Sequence, residues 1–100
     1  MTRKVSNRPK VPRAQVKNRT PSKPSPAEAA KIRCMFGEGL RSRRLAAGLS
    51  QKGLSELSGV DRTFLSQIER GIRQPALLSL VSVSKALGVT VSALVEGVEQ

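Results

Sequence analysis

The sequence predicts an all-α protein, a bundle of five short helices preceded by a disordered basic tail. Three observations carry that reading. Apolar residues recur at helical spacing between Phe36 and Val95, in short segments. Glycines close most of those segments (Gly48, Gly59, Gly71, Gly88), and Ser50, Asp61 and Thr90 stand where the following ones begin. The charge is also unevenly distributed. Of 18 Lys and Arg, eight lie in residues 1–26 with no acidic residue, whereas all seven acidic residues lie in 27–100.

Residues 1–26 hold five of the six prolines, together with Arg3, Lys4, Arg8, Lys10, Arg13, Lys17, Arg19 and Lys23. A segment so rich in proline and like charge buries too little apolar surface to offset its ordering entropy, and it is expected to be disordered when free. Its charge suits a polyanion, nucleic acid ahead of membrane. Met35 stands where the folded part is expected to begin and is a second candidate for the translation start.

Helix is expected to begin after Ser25-Pro26, with Glu28 near the positive end of the dipole. Gly37 and Gly39 weaken it, so residues 27–35 read as a separate or fraying lead-in and the first core helix as starting at Phe36, with Leu40, Arg44 and Ala47 on one face. Ser50 caps a second helix with apolar positions Leu54 and Leu57. Gly59-Val60-Asp61 forms a tight turn, and Asp61 caps a third helix, Arg62 to Arg70, that buries Leu65 and Ile68. Leu77, Leu80, Val81, Ser84 and Leu87 mark a fourth helix, and Val91, Leu94 and Val95 a fifth, capped by Thr90.

The three-residue turn between helices two and three fits a helix-turn-helix unit. Burial of Leu65 and Ile68 leaves Arg62, Thr63, Ser66, Gln67 and Arg70 facing outward. These are the side chains that read base edges: Arg pairs with guanine, Gln with adenine, and a Thr methyl or the Phe64 ring meets the thymine methyl. A solvated face of an ordinary bundle is the plainer reading, but the glycine turn and basic balance favour DNA.

From Phe36 to about Val95 the chain resembles the Cro and lambda-repressor type of helix-turn-helix domain. The motifs are Gly48-Leu49-Ser50-Gln51, Ser66-Gln67-Ile68-Glu69-Arg70-Gly71, Pro75 and Ala86-Leu87-Gly88-Val89. Asp61-Arg62-Thr63-Phe64-Leu65-Ser66 followed by Ile68-Glu69-Arg70 is similar to the controller proteins of restriction–modification systems. The resemblance implies that Gln51 holds a phosphate, that Arg62, Thr63, Phe64, Ser66 and Gln67 meet the major groove, that Arg70 contacts phosphate and that Arg73 reaches bases or backbone. It also implies a structural salt bridge between Arg44 and Glu69. Gly53, Ser55, Ser84 and Ala76 depart from the family pattern.

Leu78, Val91, Val95 and Val98 exceed what a small monomer core needs and are expected to form a homodimer interface, so that two recognition helices meet a near-palindromic operator on double-stranded DNA. With no histidine and Cys34 as the single cysteine, no metal centre, cofactor or enzymatic nucleophile–base pair is expected. No apolar run approaches the roughly 18 residues of a membrane span, and a cytoplasmic, nucleoid-associated regulator is expected. The alternatives are a bridging protein that binds the transcription machinery, or an antitoxin that regulates its own operon.

Overall fold

The structure is a computed structural model that describes residues 22–98. The expected tail therefore lies outside the described residues up to position 21. Five α-helices follow in order: α1 (Pro26–Ala46), α2 (Gln51–Ser58), α3 (Arg62–Glu69), α4 (Leu77–Leu87) and α5 (Val91–Val95), then a 3-10 turn, Glu96–Val98. Helix α1 packs on α3 and on the C-terminal elements, α2 on both α3 and α4, and α4 on α5. The core consists of Phe36, Leu40, Leu54, Val60, Leu65, Ile68, Val83 and Leu94.

Helix α1 departs from expectation by being continuous for 21 residues, with no break at Gly37 or Gly39. Its start is held by a reciprocal cap: the Ser25 hydroxyl accepts from the Glu28 amide at 3.1 Å, and the Glu28 carboxylate accepts from the Ser25 amide at 2.8 Å. Gly37 is required by packing. A Cβ there would stand 2.3 Å from the Ile68 carbonyl oxygen and 2.6 Å from that of Glu69, so only glycine lets α1 lie this close to the end of α3.

The caps at Ser50, Asp61 and Thr90 form as expected, each side-chain oxygen accepting from a backbone amide three residues on, at 2.9, 3.2 and 3.0 Å. The turn between α2 and α3 is braced by Ser55, whose hydroxyl donates to the Val60 carbonyl at 2.6 Å, while Ser58 accepts from the Val60 amide. Val60, expected only as a turn residue, is buried and plugs the angle between the helices.

Some apolar assignments change. Leu57 is 63% exposed. The inward stripe of α2 runs through Gln51, Leu54, Ser55 and Ser58, about 110° of helical rotation from Leu57. Ala47 is exposed because it caps α1 at its C-terminus. In α4 the inward stripe is Leu80, Val83, Ser84 and Leu87, leaving Leu77 exposed. Val95 and Val98 are less spare than expected, because both pack against the chain's own core.

Candidate nucleic-acid interface

The candidate interface is built on α3, and its foundation is one buried ion pair. Arg44 of α1 donates from Nε to Glu69 Oε2 at 2.7 Å and from Nη2 to Oε1 at 2.9 Å, a bidentate pair. A third donor of Arg44 reaches the Leu49 carbonyl at 2.8 Å, which ties the α1–α2 turn to the same guanidinium. Burial alone pushes the Glu69 carboxyl up, but the hydrogen bonds from Arg44 and Gln51, with the charges of Arg44 and Arg41, outweigh it and hold the group below the usual glutamate range. The Glu69 partnership likewise raises Arg44 against the opposing effect of burial.

Gln51, at the first position of α2, donates from Nε2 to Glu69 Oε1 at 3.0 Å. Its amide is thus oriented from inside the fold, an arrangement that spacing along the chain does not reveal. Gln51, Arg62, Thr63 and Ser66 line one shallow cleft of about 230 Å³ between the start of α2 and the first half of α3. Arg62 and Thr63 are exposed, and neither side chain has a hydrogen-bond or ion-pair partner among the described residues. Ser66 and Gln67 are half-buried on the same helix.

The remaining candidates are Phe64 in the first turn of α3, Gln67 further along it, and Arg70 and Arg73 at and beyond its C-terminal end. Arg70 is its exposed C-cap. The chain then turns sharply through Gly71 (φ +76°), with the amides of Gly71 and Ile72 donating to the carbonyls of Ile68 and Gln67 at 3.0 and 2.9 Å. This brings the Arg73 guanidinium over the Phe64 ring, 5.2 Å from its centroid, within cation–π range. Phe64 is half-buried and packs against the core, so its ring is less available to a partner than Arg62 or Thr63. The eight candidate residues therefore comprise a cleft group (Gln51, Arg62, Thr63 and Ser66), a stacked pair (Phe64 and Arg73), and Gln67 and Arg70 further along α3.

Leu78 is 78% exposed and adjoins exposed Leu77, whereas Val91, Val95 and Val98 are half-buried. Among the described residues no group of His, Cys, Asp or Glu is placed to hold a metal ion. No single helix among them is long and apolar enough to cross a membrane.

A family model described as helix-turn-helix matches residues 40–94, from the last third of α1 through Leu94 of α5. The chain belongs to the HTH_3 helix-turn-helix family. This is a family of DNA-binding transcriptional regulators rather than of enzymes. An uncharacterized HTH-type transcriptional regulator of Mycobacterium tuberculosis (strain CDC 1551 / Oshkosh) is 43% identical over 58 residues, covering 58% of this chain and 41% of that relative. The chain thus spans about two fifths of the length of that regulator. Control protein C.BamHI of Bacillus amyloliquefaciens is 42% identical over 59 residues, covering 58% of this chain and 73% of its own. The crystal structure of the restriction-modification controller protein C.AhdI from Aeromonas hydrophila superposes with a TM-score of 0.61 at 38% identity, over 65% of this HTH_3 chain and 97% of C.AhdI. The resemblance to controller proteins read from the α3 motif is thus matched by both sequence and fold.

Proposed function

We propose that this HTH_3 protein is a sequence-specific transcriptional regulator that acts by occupying a near-palindromic operator as a homodimer. The observation that carries the reading is the cleft in which Gln51, Arg62, Thr63 and Ser66 converge, on a helix fixed from behind by the Arg44–Glu69 pair. Arg62 and Thr63 sit in the first turn of α3, where a recognition helix meets base edges. Gln51 and Arg70, at the ends of α2 and α3, position the backbone, with Arg73 as a further contact beyond the helix. Exposed Leu77 and Leu78, with half-buried Val91, Val95 and Val98, supply the dimer surface. The site of action is the cytoplasm, on DNA.

Selection of bound duplexes from a random pool by the full chain tests this function. The expected product is an inverted repeat with half-sites about 34 Å apart along the duplex. Recovery of no preferred sequence would sink the proposal and favour a protein-binding adaptor. Leu78→Glu is expected to shift the sedimenting species from dimer to monomer. The tail is tested by removing residues 1–21, which leaves the Ser25 cap intact. The slope of log affinity against log salt should then fall by about 0.9 for each phosphate that the shortened chain no longer neutralises.

A further inference from the structure

The N-terminal half of α1 has no role in the cleft, yet it engages the loop that carries Arg73. Arg33 donates from Nε to the Gly71 carbonyl at 3.3 Å, across 38 residues of sequence. Beside it, the backbone of Gly71 lies flat against Cys34. A Cβ on Gly71 would stand 2.7 Å from Cys34 Sγ and 3.1 Å from Cys34 Cα. One turn further on, Gly37 abuts the carbonyls of Ile68 and Glu69. Helix α1 thus follows the chain closely as it leaves α3.

Apart from these contacts with α1, the loop is held by its own backbone hydrogen bonds to the end of α3. Ile72 and Arg73 both donate their amides to the Gln67 carbonyl, at 2.9 and 3.3 Å, and the Ile72 side chain is exposed. Gly71 at φ +76° is the pivot on which the direction of residues 72 and 73 depends. A single exposed Arg side chain stacked over the face of the half-buried Phe64 ring is too weak a contact to fix a loop by itself.

We propose that Arg33 is a positioning residue for Arg73: by holding the Gly71 carbonyl against α1 it fixes the pivot and keeps Arg73 stacked on Phe64, aimed at the nucleic acid. The inference rests on the DNA-binding reading above and assigns to the α1 extension part of the sequence preference. Arg33 acts through Arg73 and makes no DNA contact of its own.

The test uses the full chain and the operator obtained by selection. Arg33→Met removes the donor but keeps an unbranched helix-forming side chain of similar length on α1, so the fold is retained, and Arg33→Lys restores a donor. Without DNA, the Arg73 side-chain protons of the wild type are expected to show an upfield ring-current shift from Phe64, which Arg33→Met reduces and Arg33→Lys recovers in part. With DNA, Arg33→Met should weaken operator binding about tenfold and flatten the preference at the same base position as Arg73→Ala. In an Arg73→Ala background Arg33→Met should have an effect of no more than about twofold, because the interaction it supports is already gone. Additive losses, or a salt slope that falls further in the double variant, would mean that Arg33 touches phosphate itself and would overturn the inference. An unchanged ring-current shift in Arg33→Met would also overturn it. A wild-type chain that selects no operator defeats the DNA-binding reading, and this inference with it. A selected operator with an additive cycle defeats the inference alone.

Discussion

Gly37 meets the carbonyl of Ile68 with no room for a side chain: a Cβ at Gly37 would lie 2.3 Å from that oxygen. The helix carrying the core and the helix carrying the candidate readers are therefore in backbone contact. Alanine at a helix-interior glycine ordinarily gains about 1 kcal/mol. Here the obstacle is backbone on the far side, which cannot rotate away, and overpacking of this kind costs about 1–3 kcal/mol or more. Gly37→Ala is expected to lower stability by about 2 kcal/mol net and to shift α3, measured by urea unfolding and by loss of operator affinity.

Gly39, two residues on, should respond with the opposite sign. It lies in the same helix, is exposed, and a Cβ there would meet nothing within 4 Å. Only the conformational effect remains, so Gly39→Ala should raise stability by about 0.5–1 kcal/mol. The two variants measured side by side separate helix propensity from packing in one element. Equal effects of the same sign would contradict the close approach at Gly37.

The buried pair predicts a pH dependence. The Glu69 carboxyl is depressed in the fold, because the bonds from Arg44 and Gln51 outweigh the opposing effect of burial. Its contribution is fully present above the unfolded value of about 4.3 and is lost as pH falls through the folded value. Urea unfolding of the wild type between neutral and acid pH should therefore show stability falling below about pH 4 more steeply than in Glu69→Gln. At neutral pH that variant should be less stable by about 3 kcal/mol, since Arg44 is left buried without its counter-charge. Parallel pH curves for the two proteins would remove Glu69 from the account.

These residues also show what is legible in the sequence. Caps at Ser50, Asp61 and Thr90 are local, set by one side chain and an amide three positions on, and so can be read directly. The outward face of α3 follows from Leu65 and Ile68 alone. Gly37 is illegible because propensity registers its cost but not the carbonyl 31 positions away that requires it. Val60 and Leu57 escape for a related reason: burial of a turn residue or of the edge of an eight-residue helix depends on which neighbour covers it. The inward hold on Gln51 and the stacking of Arg73 on Phe64 are tertiary interactions with no periodic trace.

Ala76 marks a site where stability is left unused. It occupies the N-cap of α4 in the extended conformation a cap needs (φ −77°, ψ 158°), its carbonyl already accepts from Leu80 at 3.0 Å, and no side chain satisfies the free amides. Ala76→Ser supplies the missing acceptor without altering the backbone. A gain of about 1 kcal/mol is expected in urea unfolding. The loop 72–76 should keep its place, so DNA affinity should stay within about twofold, a difference below about 0.5 kcal/mol.

Arg62 provides the most direct test of the interface itself. It opens α3, is exposed, lines the cleft with Gln51, Thr63 and Ser66, and its side chain has no hydrogen-bond or ion-pair partner among the described residues. Its removal should therefore leave the fold intact, with stability changed by less than about 0.5 kcal/mol. If the guanidinium reads a base, Arg62→Ala lowers operator affinity by about 1–3 kcal/mol and relaxes the preference at one position of each half-site. If it meets only phosphate, affinity falls alike for all sequences and the salt slope drops by about 0.9. Binding-site selection with the variant, beside a salt titration, distinguishes the two. An unchanged sequence profile with a reduced slope would move Arg62 from reader to anchor and leave Thr63, Gln67 and Arg73 to carry the specificity.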